Sequence, residues 1–129
     1  MAEKATVSED TRAKMVNLAN ALRPVQDELG LPQLLALLTI ASEPGLSVND
    51  LADRLDLPQQ TTSRHVAALA GRYQGMFGAD AAEYTARSKL APLIIQEISQ
   101  SDPRRRALFI SKQGRSLLDA MAKRLDPKD

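Results

Sequence analysis

Gln60 and Arg64 stand four residues apart in the stretch LADRLDLPQQTTSRHVAAL, residues 51–69. That interval is close to one helical turn, so on a helix the two side chains share a face. A glutamine amide pairs its donor and acceptor with an adenine edge, and a guanidinium pairs two donors with a guanine, so the face suits bases in a DNA major groove. Gln59, Thr61 and Ser63 flank them with groups that fit base or phosphate oxygens. A second cluster, Asp102, Arg104, Arg105 and Arg106 in the run DPRRRALFIS, is followed by Lys112. A guanidinium suits a narrow, electronegative minor groove, and the neighbouring cations suit phosphates.

For Gln60 and Arg64 to point outward, the helix must be anchored by its other face. Thr62, Val66 and Leu69 fall on that face, opposite Gln60, Arg64, Ala67 and Gly71. The helix before it has Leu51 and Leu55 for the core and the small Ala52 where the two helices cross, with Leu57 plugging the turn; this is a helix-turn-helix pattern. Asp56 stands where glycine is common in that turn and must adopt a left-handed conformation, which Asp tolerates at modest cost. Pro58 takes the place of the usual Ser or Thr cap. His65, the single histidine, lies at the edge of the buried face and is read as a packing residue in preference to a proton switch. The β-prone runs Leu93–Ser99 and Ala107–Ser111 flank a turn-type segment, so the arginines sit at the tip of a two-stranded hairpin.

The rest of the chain reads as support. Ser8 caps a first helix whose Met15, Leu18, Leu22 and Val25 recur at three and four, a seam that covers the protein's own core or meets a partner helix. Pro32 opens a second helix, apolar nearly all round through Leu34, Leu35, Leu37, Leu38, Ile40 and Ala41 and therefore expected to be the most buried; Pro44 and Gly45 end it. A last helix shows Leu117, Leu118, Met121 and Leu125 on one face. The expected organisation is one mainly α domain with a small β-hairpin: an N-terminal helix over 8–29, core and helix-turn-helix over 33–70, an atypical insertion over 71–92 with a short helix at Ala79–Lys89, a wing over 93–111 and a C-terminal helix over 114–126.

Composition narrows the function. At 129 residues one core is expected, and with two Phe, two Tyr and no Trp it must be aliphatic. The net charge of +1 conceals an asymmetry: residues 1–58 carry five basic and nine acidic side chains, residues 59–129 twelve and seven. A polyanion would therefore meet the C-terminal half. The absence of Cys excludes disulfides, thiol redox sensing and Cys-ligated zinc. One His, no Gly-rich phosphate loop and no metal-ligand spacing leave an enzyme, a metal site or a cofactor without support. No apolar run reaches about 18 residues and Met1–Asp10 is polar, so the expectation is a soluble cytoplasmic protein with no membrane partner.

The order DPRRRALFIS then KQGRSLLDAM resembles the MarR family of winged helix-turn-helix transcriptional regulators, across about residues 33–122. Counted back from Gly114 without gaps, Ser111 takes the family's Thr position, and Asp102, Pro103 and Arg104 take its Asp-x-Arg. The resemblance implies that Asp102 shapes the wing tip and Arg104 enters the minor groove; residue chemistry independently places Arg105, Arg106 and Lys112 to meet phosphates. It implies a homodimer on a pseudo-palindromic double-stranded operator, repressing where the site overlaps a promoter. Dimerisation would use the terminal helices, through Met15, Leu18, Leu22, Val25, Leu117, Leu118, Met121 and Leu125. A small-molecule effector, frequent in the family, stays open. The insertion over 71–92 and the short flanking helices depart from the family, and the missing Cys removes its thiol-sensing branch. The alternative is a winged-helix module that docks a protein partner with little specific DNA binding.

Overall fold

The computed structural model describes residues 3–71, 92–98 and 105–127. The expected helix at Ala79–Lys89, almost all of the 71–92 insertion, and the tip residues Asp102 and Arg104 lie outside the described residues. Among the described residues, five α-helices and one hairpin occur in the order α1 (Glu9–Leu22), α2 (Leu31–Ser42), α3 (Val48–Leu55), α4 (Gln59–Leu69), β1 (Ile94–Ile98), β2 (Arg106–Ile110) and α5 (Lys112–Leu125).

Side-chain caps set several of these boundaries. Ser8 Oγ accepts from Thr11 N–H at the start of α1. Ser47 Oγ accepts from Asp50 N–H while Asp50 Oδ2 accepts from Ser47 N–H, a reciprocal box that satisfies orphan donors at the start of α3. The N-terminal helix is shorter than the expected 8–29. It leaves α geometry at Leu22 for a 3-10 turn over Arg23–Val25, because Pro24 lacks the N–H that would continue the ladder. α5 begins two residues before the expected 114, since Ser111 Oγ accepts from Gly114 N–H and makes Ser111 a helix cap. The same hydroxyl donates to the Pro92 carbonyl at 2.7 Å, tying the helix start to the chain just ahead of β1.

The main core gathers Leu37, Ile40, Leu51, Val66, Leu69, Ile94 and Leu108 from α2, α3, α4 and both strands. Burying an aliphatic side chain of this size stabilises by about 1.5–3 kcal/mol, so these contacts fix the helix-turn-helix against the hairpin. A smaller cluster of Ala21, Val25, Leu34 and Met121 packs α1 and α5 onto the start of α2, and Leu29, Leu117 and Leu118 touch both clusters. α2 is indeed central, but it is not buried all round. Leu31, Leu35 and Leu38, at intervals of four and three, form an exposed row, because α3, α4 and β2 cover only its other side.

The hairpin is antiparallel, with Ile94 opposite Ile110 and Ile98 opposite Arg106. Its base is fastened to the body by backbone bonds: Gly45 N–H to the Leu108 carbonyl at 2.8 Å, and Leu108 N–H to the Leu46 carbonyl at 2.9 Å. Leu93 N–H reaches the Leu69 carbonyl at 2.8 Å, so the chain that departs after α4 returns beside that helix's last turn. Among the described residues, no helix is long and apolar enough to cross a membrane, and no group of His, Cys, Asp or Glu could hold a metal ion.

Candidate nucleic-acid interface

α4 carries the first set of candidate residues. Thr62, Val66 and Leu69 are buried, and Thr62 Oγ1 donates to the Pro58 carbonyl at 3.0 Å, which satisfies a polar group in the core. This seating leaves Gln59, Gln60 and Arg64 exposed, with Thr61, Ser63 and His65 half-buried beside them. The turn before the helix has the conformation its sequence requires: Asp56 is left-handed at φ 55° and ψ 46°, and Leu57 N–H bonds the Ala52 carbonyl at 3.1 Å. Ala52 is buried at the crossing, and Leu55 packs on the core edge. α3 is further tied to the end of α2 by Arg54, whose guanidinium grips both carboxylate oxygens of Glu43 at 3.0–3.3 Å. These bonds raise the Arg54 pKa above its ordinary value.

Between α4, the start of α3 and the hairpin lies an open cleft of about 220 Å³. It is lined by Ser47, Val48 and Asn49 from α3 and its cap, Gln59 and Ser63 from α4, Gln96 from β1, and Arg105 and Arg106 at the start of β2. Four residues read as DNA contacts from the sequence, Gln59, Ser63, Arg105 and Arg106, thus meet in one place although they come from segments over 40 positions apart. Asn49 and Gln96 join them unforeseen. Nothing local marks Asn49, and Gln96 lies in a strand read only for its apolar residues.

The arginines differ in state. Arg106 is exposed. Arg105, expected at a phosphate, donates from Nη2 to Ser47 Oγ at 2.6 Å and to Asp50 Oδ2 at 3.2 Å. The Asp50 carboxyl is held below its ordinary value of 3.8, first by its bond with the Ser47 hydroxyl, then by the Ser47 backbone N–H and the charges of Arg105 and Arg54. Lys112 is not brought to this cleft. It lines a separate depression of about 480 Å³ with Ala41, Pro44, Phe109 and Arg115.

The dimerisation candidates also divide. Met15, Leu18 and Leu125 are exposed, and Val16 joins them. Val25 and Met121 are taken up by the chain's own core, and Leu22, Leu117 and Leu118 are half-buried against it, because a chain this small needs them to hold α1 and α5 onto α2.

An exposed recognition-type helix, a left-handed turn, a buried crossing alanine and a hairpin wing beside them define a winged helix-turn-helix protein. Residues 28–72 match the MarR family model, and this match covers the helix-turn-helix. The fold extends the likeness along the chain. The structure of MarR superposes with a TM-score of 0.54 at 20% identity, over 91% of this chain and 70% of that one. The S. aureus MepR–DNA complex gives 0.58 at 18%, over 92% and 80%. The PcaV transcriptional regulator from Streptomyces coelicolor, in complex with its natural ligand, gives 0.56 at 19%, over 96% and 79%. No curated protein matches the chain in sequence. The chain is thus similar to the MarR family over residues 28–72 and shares the winged-helix fold of these structures, in line with the resemblance drawn from the sequence.

Proposed function

We propose that the protein is a DNA-binding transcriptional regulator, not an enzyme, and that it binds a pseudo-palindromic operator as a homodimer and represses where that site overlaps a promoter. The observation that carries this reading is the exposed face of α4, Gln60 and Arg64, standing beside a cleft that joins α4 to Arg106 of the wing. Gln60 and Arg64 read base edges, and Arg106 with Gln59 and Ser63 meets the backbone that runs between helix and wing. Arg104 takes the minor-groove role that the Asp-x-Arg resemblance gives it. The MarR-family match and the MepR–DNA complex among its structural neighbours support the same class of function.

The dimer uses the exposed Met15, Val16, Leu18 and Leu125 of α1 and α5. Two copies of α4 then enter successive major grooves one helical turn apart. A small-molecule effector is part of the reading only as a class, and the PcaV structure with its natural ligand shows a protein of this fold holding a ligand. Selection from random duplexes by the purified protein tests the function. An inverted repeat with half-sites about 10 base pairs apart is the expected product, and recovery without sequence preference would overturn it.

A further inference from the structure

We propose that Arg105 is a positioning residue: it clasps the wing to the first turn of α3 and so fixes the wing's angle to the recognition helix, an inference that rests on the DNA-binding reading above. Its Nη2 donates to Ser47 Oγ at 2.6 Å and to Asp50 Oδ2 at 3.2 Å. These acceptors are not loose surface groups. Ser47 is buried, and the two residues hold each other through the reciprocal box that starts α3, so the guanidinium meets a preformed pair of oxygens.

The place of the clasp gives it leverage. The hairpin is fastened to the body at its base, at Leu108 by backbone bonds to Gly45 and Leu46 and just before β1 by the bond of Leu93 N–H to the Leu69 carbonyl. A two-stranded ribbon held at its base can still bend towards its tip. Arg105 adds a fastening three residues from Leu108 towards the tip, about 10 Å along an extended strand. Two fastenings on one strand define a direction. The next residue, Arg106, lines the cleft beside Gln59 and Ser63, so the direction of the wing sets where its cations stand relative to α4.

A direct phosphate contact by Arg105 makes the opposite prediction for Asp50. Were Arg105 reaching the backbone, Asp50 would be a negative charge beside DNA, and neutralising it would strengthen binding. As the anchor of the clasp, Asp50 must be needed for binding. Asp50→Asn keeps an oxygen for the Ser47 N–H, so α3 retains its box while the ion pair is lost.

The experiment compares wild type, Asp50→Asn and Arg105→Gln by amide hydrogen exchange of the free proteins and by duplex affinity across a salt series. For Asp50→Asn the clasp predicts faster exchange at the β2 amides near Arg106 and about 3- to 10-fold weaker binding. The salt slope should stay unchanged, because no phosphate contact is lost. Preference for A·T over G·C in the flanks should fall while preference within the half-sites persists. Unchanged exchange with equal or tighter binding by Asp50→Asn overturns the proposal, as does an Arg105→Gln protein with wild-type exchange and a salt slope reduced by about one contact. Should wild type select no duplex, the DNA reading falls by itself, and the exchange comparison still decides whether the clasp holds the wing. Arg105→Gln carries the exchange arm if Asp50→Asn does not fold.

Discussion

In the proposed function, base recognition rests on few side chains. Arg64→Ala should relax the preferred base at one position of each half-site, and Gln60→Ala at another, each by about 1–3 kcal/mol of discrimination; binding to duplexes altered at single positions measures it. Arg106→Ala should instead weaken all duplexes alike and reduce the salt slope by about one, whereas Lys112→Ala should change the slope less because Lys112 lines a separate depression. Asp50 carries a pH dependence. Its folded pKa is depressed, so its contribution to stability is fully present above the ordinary 3.8 and is lost as pH falls through the lower folded value. Acid unfolding of Asp50→Asn should therefore lack that part of the decline, which a pH series of thermal melts would show. The outward set on α4 could be read from the sequence because helical periodicity is a local property. The state of Arg105 could not, since Ser47 and Asp50 lie 58 and 55 residues away and only the folded wing brings them together.

The elements hold because a few residues leave no room for substitution. Gly114 sits in the first turn of α5 against Leu93 and the end of β2, where an added Cβ would run into the Leu93 carbonyl and stand 2.9 Å from Ile110 Cγ2. Gly114→Ala should destabilise by about 1–3 kcal/mol or more, since backbone cannot give way as a side-chain tip can. Ser111→Ala removes the cap of α5 and the tie to the Pro92 carbonyl, and should cost about 0.5–2 kcal/mol in denaturant melts. Caps and turns of this kind were partly legible: Ser8, Asp56 and the α3–α4 crossing at Ala52 stand where their residue types required. Ser111 was readable as a strand end and family marker, yet its capping role depends on Gly114 and on the distant Pro92. The exposed leucines of α2 show the limit of composition, because a helix apolar on every side does not say which sides its neighbours will cover. The bridge between Leu46 and Leu108 was invisible for the same reason: a pairing across 62 positions leaves no local pattern.

At the scale of the whole molecule, two small cores share Leu29, Leu117 and Leu118, so the terminal helices and the helix-turn-helix are packed as one piece. The exposed residues of α1 and α5 nevertheless remain available to a second copy. Leu18→Glu should convert a dimer to monomers in sedimentation with little change in melting temperature. Val25→Ala should leave assembly intact and lower stability by about 1–3 kcal/mol, because Val25 is spent inside the chain. The most direct test of the central claim is selection of genomic DNA fragments by wild type and Arg64→Ala side by side, at low and moderate salt. The account predicts an inverted repeat that wild type enriches at both salts, with Arg64→Ala indifferent to one base pair in each half-site. Uniform recovery that vanishes at moderate salt, the same for both proteins, would contradict it and leave only the general attraction of a basic surface for a polyanion.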